Sequence, residues 1–164
     1  MATEILKSIA VLLKKQKDLA ESSNFYSLPF PENTNVGHIV IDSPAHTGNL
    51  RGAIDFQVEV GTTIRVPLKG TVVAVADKYD QHGQTEKFAN FLNEIVVKHD
   101  ESEFSQVAHL AKGSALVKPG DEVIQGQTLA RTGLSGWMTT PHLHFFVFTY
   151  VNGEIKGLKV KFRM

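Results

Sequence analysis

His142 and His144, set in Pro141-His142-Leu143-His144-Phe145, carry the clearest chemical signal in this chain of 164 residues. Residues two apart in a strand point to the same face, so the two imidazoles project together while Leu143 and Phe145 enter the core. Two imidazoles aimed at one place make a metal site or an acid/base site. A third histidine, His109 in Val107-Ala108-His109-Leu110, ends another apolar run. Asp55, in Ala53-Ile54-Asp55-Phe56, is a carboxylate inside an apolar stretch. A half-buried charge of that kind is costly unless a cation, a metal or a cluster of backbone groups meets it. The chain has no cysteine, so any metal must sit on His, Asp or Glu. The simplest set is two histidines and one aspartate with water as fourth ligand, the arrangement of a catalytic zinc. None of the serines stands in a triad context, so no covalent nucleophile is expected.

These residues need strands to hold them, and the sequence supplies them. From His38 onward, short β-branched runs alternate with Gly, Pro, Asn and Asp at roughly ten-residue intervals, the texture of an all-β domain. The expected strands are His38–Asp42, Ala53–Val58, Thr62–Val66, Gly70–Ala76, Glu94–His99, Phe104–Leu110, Glu122–Arg131, His142–Tyr150 and Ile155–Phe162. Gln84–Leu92 reads as a short helix or an ordered loop. Thr3–Leu19 spaces Ile5, Ile9, Leu12, Leu13 and Leu19 as one amphipathic helix, expected to cover the sheet or barrel that follows. Docking of that helix to a partner or a membrane surface is the other reading. Ser22–Asn35, with Pro29 and Pro31 among Ser and Asn, reads as a connecting loop. The expected organisation is thus an N-terminal helix and loop, 1–35, followed by a β domain, 36–164.

Seventeen basic side chains balance seventeen acidic ones, and no basic run interleaves with aromatics, so nothing favours nucleic acid as a partner. A hydrophobic content of 42% suffices for one core and excludes wholesale disorder. The apolar run Ile9–Leu13 is too short to span a membrane. It leads into Lys14-Lys15-Gln16-Lys17 and not into a small-residue cleavage site, so neither signal peptide nor anchor is expected and the chain as written reads as cytoplasmic.

Taken in order, Ala53-Ile54-Asp55-Phe56, Val60-Gly61-Thr62, Gly70-Thr71-Val72-Val73-Ala74, Asn93-Glu94-Ile95-Val96-Val97-Lys98-His99, Ala108-His109-Leu110, Val117-Lys118-Pro119-Gly120-Asp121, Gly126-Gln127 and Pro141-His142-Leu143-His144-Phe145 resemble the lysostaphin-type zinc endopeptidases. The resemblance runs over about residues 37 to 150. It implies a mainly β, antiparallel, barrel-like sheet fold with a groove, here preceded by the amphipathic helix. It also implies a zinc hydrolase, with one Zn2+ per chain, that cuts peptide bonds in peptidoglycan cross-links. In that family the Asp of the Ile-Asp-Phe strand and the second His of His-Leu-His bind the metal, which corresponds to Asp55 and His144. The first His of the pair and the His of Ala-His-Leu assist catalysis, which corresponds to His142 and His109. For such an enzyme the cell envelope is the site of action, and the partner is a peptidoglycan peptide or another peptide.

The common family pattern puts the first zinc-binding His four residues before the Asp, and Arg51 stands there. A family variant places that His further upstream, and His46-Thr47-Gly48 ahead of Ala53-Ile54-Asp55-Phe56 resembles it. Thr47-Gly48-Asn49 is turn chemistry that could return His46 to the metal. The resemblance therefore makes His46 the third ligand. The alternatives are a lone surface His46, or a site that Arg51 neutralises by pairing with Asp55, leaving a zinc-free binding or regulatory module of the same fold. A biotinyl- or lipoyl-carrier-like barrel lacks support, because the Met-Lys-Met turn of such carriers is missing. Val107, Met138 and Thr140 depart from the residues usual in the family at their positions. His38, His82 and His99 read as surface or structural, Asp77–Glu86 as a solvated or groove-rim loop, and Trp137 as exposed or groove-lining.

Overall fold

Alternation along the strand Leu143–Val151 decides the architecture. Leu143, Phe145 and Val147 are fully buried on one face with Ile54, Phe56, Ile95, Val97 and Val107, while His144, Phe146, Phe148 and Tyr150 belong to the other face. The computed structural model describes residues Met1–Met164. Helix α1 spans Ala2–Leu13. The strands in chain order are β1 (Glu21–Tyr26), β2 (Ile39–Val40), β3 (Ile54–Phe56), β4 (Thr63–Arg65), β5 (Gly70–Ala76), β6 (His82–Gly83) and β7 (Glu94–Lys98). They continue as β8 (Phe104–Ala108), β9 (Glu122–Val123), β10 (Thr128–Arg131), β11 (Gly136–Trp137), β12 (Leu143–Val151), β13 (Glu154–Gly157) and β14 (Lys159–Phe162).

Eight strands form one antiparallel sheet in the order β2-β3-β12-β8-β7-β5-β9, with β13 also paired to β12. The fold is mainly β, as expected, and each expected strand is present in whole or in part. Two runs are broken by turns. Ile124–Gln127, with Gly126 at φ 86°, separates β9 from β10, and Leu158 separates β13 from β14 while its N–H is given to Val147 O. The stretch Gln84–Leu92 contains a single 3-10 turn at Glu86–Phe88.

The N-terminal part departs from expectation in two places. The helix stops at Leu13 and not at Leu19, because the basic run that follows has no apolar stripe to bury, and the chain leaves through turn bonds from Lys15 and Gln16 to Leu12 O and Leu13 O. Within Ser22–Asn35, read as a loop, residues through Tyr26 belong to β1, which pairs in parallel with β14. Its inward positions are Ser22 and Tyr26, too polar a pattern to signal a strand. The helix covers the core as expected: Ile9 is buried, and Ile5, Leu6, Leu12 and Leu13 pack against the same cluster as Tyr26, Phe30 and Phe162. No helix is long and apolar enough to cross a membrane.

Candidate active site

Strand register brings Asp55 and His144 together. In the antiparallel pairing of β3 with β12 these two residues are direct partners, and both point away from the main core because their neighbours Ile54, Phe56, Leu143 and Phe145 fill it. His144 Nδ1 donates to Asp55 Oδ1 at 3.1 Å. His46 reaches the same oxygen from a turn closed by its own N–H to Ser43 O, ahead of a 3-10 turn at Gly48–Leu50, and its Nε2 lies 3.1 Å from Asp55 Oδ1. His46 is only 5% exposed, and its ring is not aimed for a hydrogen bond, so both Nδ1 and Nε2 are buried without a hydrogen-bond partner. A buried neutral imidazole with two unsatisfied nitrogens is costly. Ligation of a cation at one of them would relieve part of that cost, and ligand atoms of His46, Asp55 and His144 all lie within 4.8 Å of one another. Two nitrogens and one carboxylate oxygen, with no sulfur, are a donor set that suits zinc.

His142 and His109 stand beside this trio. His142 follows Pro141, and its Nδ1 donates to Thr140 O at 2.8 Å while its Nε2 lies 3.7 Å from Asp55 Oδ2. His109 ends β8, where strict alternation would send its side chain into the core with Val107. Its backbone instead adopts φ 65°, a left-handed conformation uncommon outside glycine, which breaks the alternation and turns the ring to 4.4 Å from that of His142, centroid to centroid. His109 Nδ1 donates to Ser135 O at 2.7 Å. A carbonyl oxygen can only accept, so both rings carry their proton on Nδ1 when neutral and leave a lone pair on Nε2.

The electrostatics follow from burial and from the neighbouring groups. Removal from water, then the neighbouring His142 and His144, push the pKa of His109 from 6.5 down to about 3, so its ring is neutral at pH 7. For Asp55 burial acts upward, but contacts with His144 and His46 and the charges of His144 and His142 outweigh it and hold the carboxyl well below its usual range. Arg51 does not neutralise Asp55. Its guanidinium forms a bidentate pair with Asp18, at 2.6 and 2.7 Å, so the feature on which a zinc-free site depended is engaged elsewhere.

The five expected site residues therefore meet in one cleft of about 270 Å³. Its rims are Ser43, Pro44 and Ala45 on one side and Gln84, Trp137, Met138 and Thr139 on the other. Trp137 lines the groove, and its Nε1 donates to Gln84 O at 3.2 Å, while pairing of β6 with β11 ties the Asp77–Glu86 loop to the same rim. His38 and His82 are exposed outside the cleft, and His99 is structural, bonded to Lys69 O and Ser105 Oγ. Ser135 was not legible as a site residue, since it acts on His109 through its backbone carbonyl. Its hydroxyl donates to Leu110 O and accepts from Asn93 N, and the Asn93 amide also donates to Leu110 O, so a buried polar network holds the chain just beyond His109.

Comparison with known proteins identifies relatives of the chain. The model of peptidase family M23 matches residues 49–156. An uncharacterised metalloprotease of Haemophilus influenzae is 33% identical over 134 residues, which are 80% of this chain and 24% of that protein. The peptidoglycan DD-endopeptidase ShyA of Vibrio cholerae is 31% identical over 91 residues, 56% of this chain and 18% of that protein. The structure of the antimicrobial peptidase lysostaphin from Staphylococcus simulans superposes with a TM-score of 0.55 at 22% identity, covering 83% of this chain and 52% of that one. The chain thus spans a quarter or less of the length of these two curated relatives.

Proposed function

The chain belongs to peptidase family M23, and from that membership we propose that it is a zinc-dependent endopeptidase acting on peptides of peptidoglycan cross-links, with the cell envelope as its site of action. His46, Asp55 and His144 hold the metal in this reading. The observation that carries it is the buried His46 ring, both of whose nitrogens lack a hydrogen bond although Nε2 lies 3.1 Å from the carboxylate that His144 also meets. A zinc ion bound there supplies Lewis acidity, polarising a scissile carbonyl and lowering the pKa of water toward neutrality.

The protein's own groups do the rest. Asp55, held ionised, contributes the one negative charge of the ligand set. His142, less enclosed than His109, takes a proton at Nε2 and returns it to the leaving amine while Thr140 O fixes its tautomer. His109 stays neutral and is held by Ser135 O, so its Nε2 accepts a hydrogen bond and orients the attacking group. The segments Ser43–Ala45 and Trp137–Thr139 line the cleft around these groups and bound the space left for a substrate chain.

Elemental analysis of the purified protein after zinc supplementation tests this reading. About one zinc per chain is expected, falling to near none in His46→Ala. Digestion of isolated peptidoglycan should then be lost in His142→Ala with zinc retained. Wild-type protein that takes up no zinc would overturn the assignment.

A further inference from the structure

Four buried side-chain polar atoms lack a hydrogen-bond partner, and three of them sit in one turn of the catalytic cleft. They are Ser43 Oγ and both ring nitrogens of His46, while the fourth, Gln16 Oε1, belongs to a residue outside the cleft. Native proteins leave few such atoms unpaired, so their concentration around one site residue calls for a physical reason. Ser43-Pro44-Ala45-His46 is a β-turn with Ser at its first position and Pro at its second, closed by His46 N–H to Ser43 O at 2.9 Å. Such a turn holds the Cα atoms of its first and fourth residues within about 7 Å, so the short side chain of Ser43 starts next to His46. A serine in first place often caps a backbone N–H of its own turn, but this hydroxyl is not spent in that way. Nor is it open to substrate, because the oxygen is buried although the residue lines the cleft.

The two nitrogens of the His46 ring have different surroundings. Nε2 lies 3.1 Å from Asp55 Oδ1, on the side where ligand atoms of His46, Asp55 and His144 converge. Nδ1 is therefore the nitrogen left to the protein. A metal on Nε2 fixes the ring proton on Nδ1, and that buried N–H then needs an acceptor. Asp55 is committed to the metal side of the ring, and Gln84 and Thr139 are exposed on the opposite rim. We propose that Ser43 is the positioning residue of this ligand, its hydroxyl accepting from Nδ1–H and so fixing the tautomer and orientation of His46 with Nε2 toward the metal. Metal-bound histidines in general give their second N–H to such a partner, and its removal costs about 10- to 100-fold in metal affinity. The proposal rests on the reading of His46, Asp55 and His144 as metal ligands, and it adds a residue that touches neither metal nor substrate. Without a metal either His46 nitrogen can hold the proton, so only the loaded site demands the bond. The contribution of Ser43 to zinc binding is thus separable from any contribution to the turn.

The test compares wild type, Ser43→Ala and Ser43→Thr, each as the full chain. Competition with a chromophoric chelator gives the zinc affinity, and thermal melting is followed in excess EDTA and in zinc. Ser43→Ala should bind zinc about tenfold more weakly or worse. Its melting temperature in EDTA should stay at or above that of wild type, because an unpaired buried hydroxyl has been removed. Ser43→Thr keeps a hydroxyl and should recover most of the affinity. In zinc-loaded, isotope-labelled wild type the His46 Nδ1–H should give an NMR signal protected from exchange with water, and at saturating zinc that signal should be lost in Ser43→Ala. Equal zinc affinity in wild type and Ser43→Ala overturns the role of Ser43 and leaves the metal site standing. A melting temperature lowered equally in EDTA and in zinc, or a threonine variant no better than alanine, makes Ser43 a residue of the turn alone and also overturns the proposal. Wild type that takes up no zinc overturns the metal site itself and the role of Ser43 with it.

Discussion

His109 shows how a single residue can be tuned by its backbone and its surroundings. Its φ of 65° is a strained choice for a side chain with a Cβ, of order 1 to 3 kcal/mol, and that strain places the ring beside His142. Val at this position, with its branched Cβ, should be less stable than Asn, which tolerates the left-handed region. The depressed pKa has a thermodynamic consequence. Between pH 6.5 and about 3 the unfolded chain binds a proton at His109 that the folded chain refuses, so stability falls as pH drops through that window, by at most about 1.4 kcal/mol per pH unit, and is independent of this group above it. Asp55, whose carboxyl is held low, adds its own loss only below its ordinary pKa of 3.8. Urea titrations of the metal-free protein from pH 7 to pH 4 should therefore show a slope that flattens in His109→Asn. An unchanged slope in that variant would assign the acid sensitivity to other groups. The identity of His109 was legible from its place after an apolar run, whereas its conformation and its Ser135 partner were not, because both depend on backbone that no side-chain pattern encodes.

At the scale of elements, the strands that carry Asp55, His109 and His144 follow from alternation, and their register puts Asp55 opposite His144. The turn bearing His46 is less visible in the sequence because packing holds it. Gly157 of β13 lies against the end of that turn, and a Cβ there would overlap Arg51 O and come within 2.8 Å of Phe146 Cε2. Gly157→Ala should cost about 1 to 3 kcal/mol in urea unfolding and weaken zinc binding in a chelator competition, since the segment that must yield leads back to His46. A stability loss with unchanged zinc affinity would uncouple the turn from the site. Arg51 tests the opposite expectation. Its only ionic partner is Asp18, in the turn between α1 and β1, so Arg51→Ala should leave zinc stoichiometry as it is in wild type. A rise in zinc uptake would mean that the guanidinium competes with the metal. This pairing across 33 positions could not be read from the sequence, where Arg51 stands out only by its distance from Asp55.

For the molecule as a whole, the boundary drawn between 1–35 and 36–164 follows composition, while the packing crosses it. Ile9, Tyr26 and Phe30 share one core cluster with Phe56, Phe145 and Phe162. The joint is a buried carboxylate, Glu103, just before β8. It accepts from Ser23 N at 2.7 Å, Asn24 N at 3.2 Å, the Asn24 amide at 3.3 Å and the Tyr26 hydroxyl at 2.8 Å. Burial, and then the Glu103 contact itself, raise the pKa of Tyr26 well above its ordinary range, so its hydroxyl remains a donor. Nothing in Glu21-Ser22-Ser23-Asn24-Phe25-Tyr26 announces this role, because the strand is held by polar bonds to a residue about eighty positions away and by β14 near the chain's other end. A buried acid satisfied four times over is a device for specifying one docked arrangement of an otherwise polar strand. Glu103→Ala strips the acceptor from several donors at once and should lower stability by about 3 kcal/mol. Hydrogen exchange should locate the damage, with the amides of Ser23 and Asn24 exchanging faster while those of β12 around His144 change in proportion to global stability only. If the Ser23 and Asn24 amides stay protected, pairing with β14 alone holds the strand and Glu103 is a passenger in the joint.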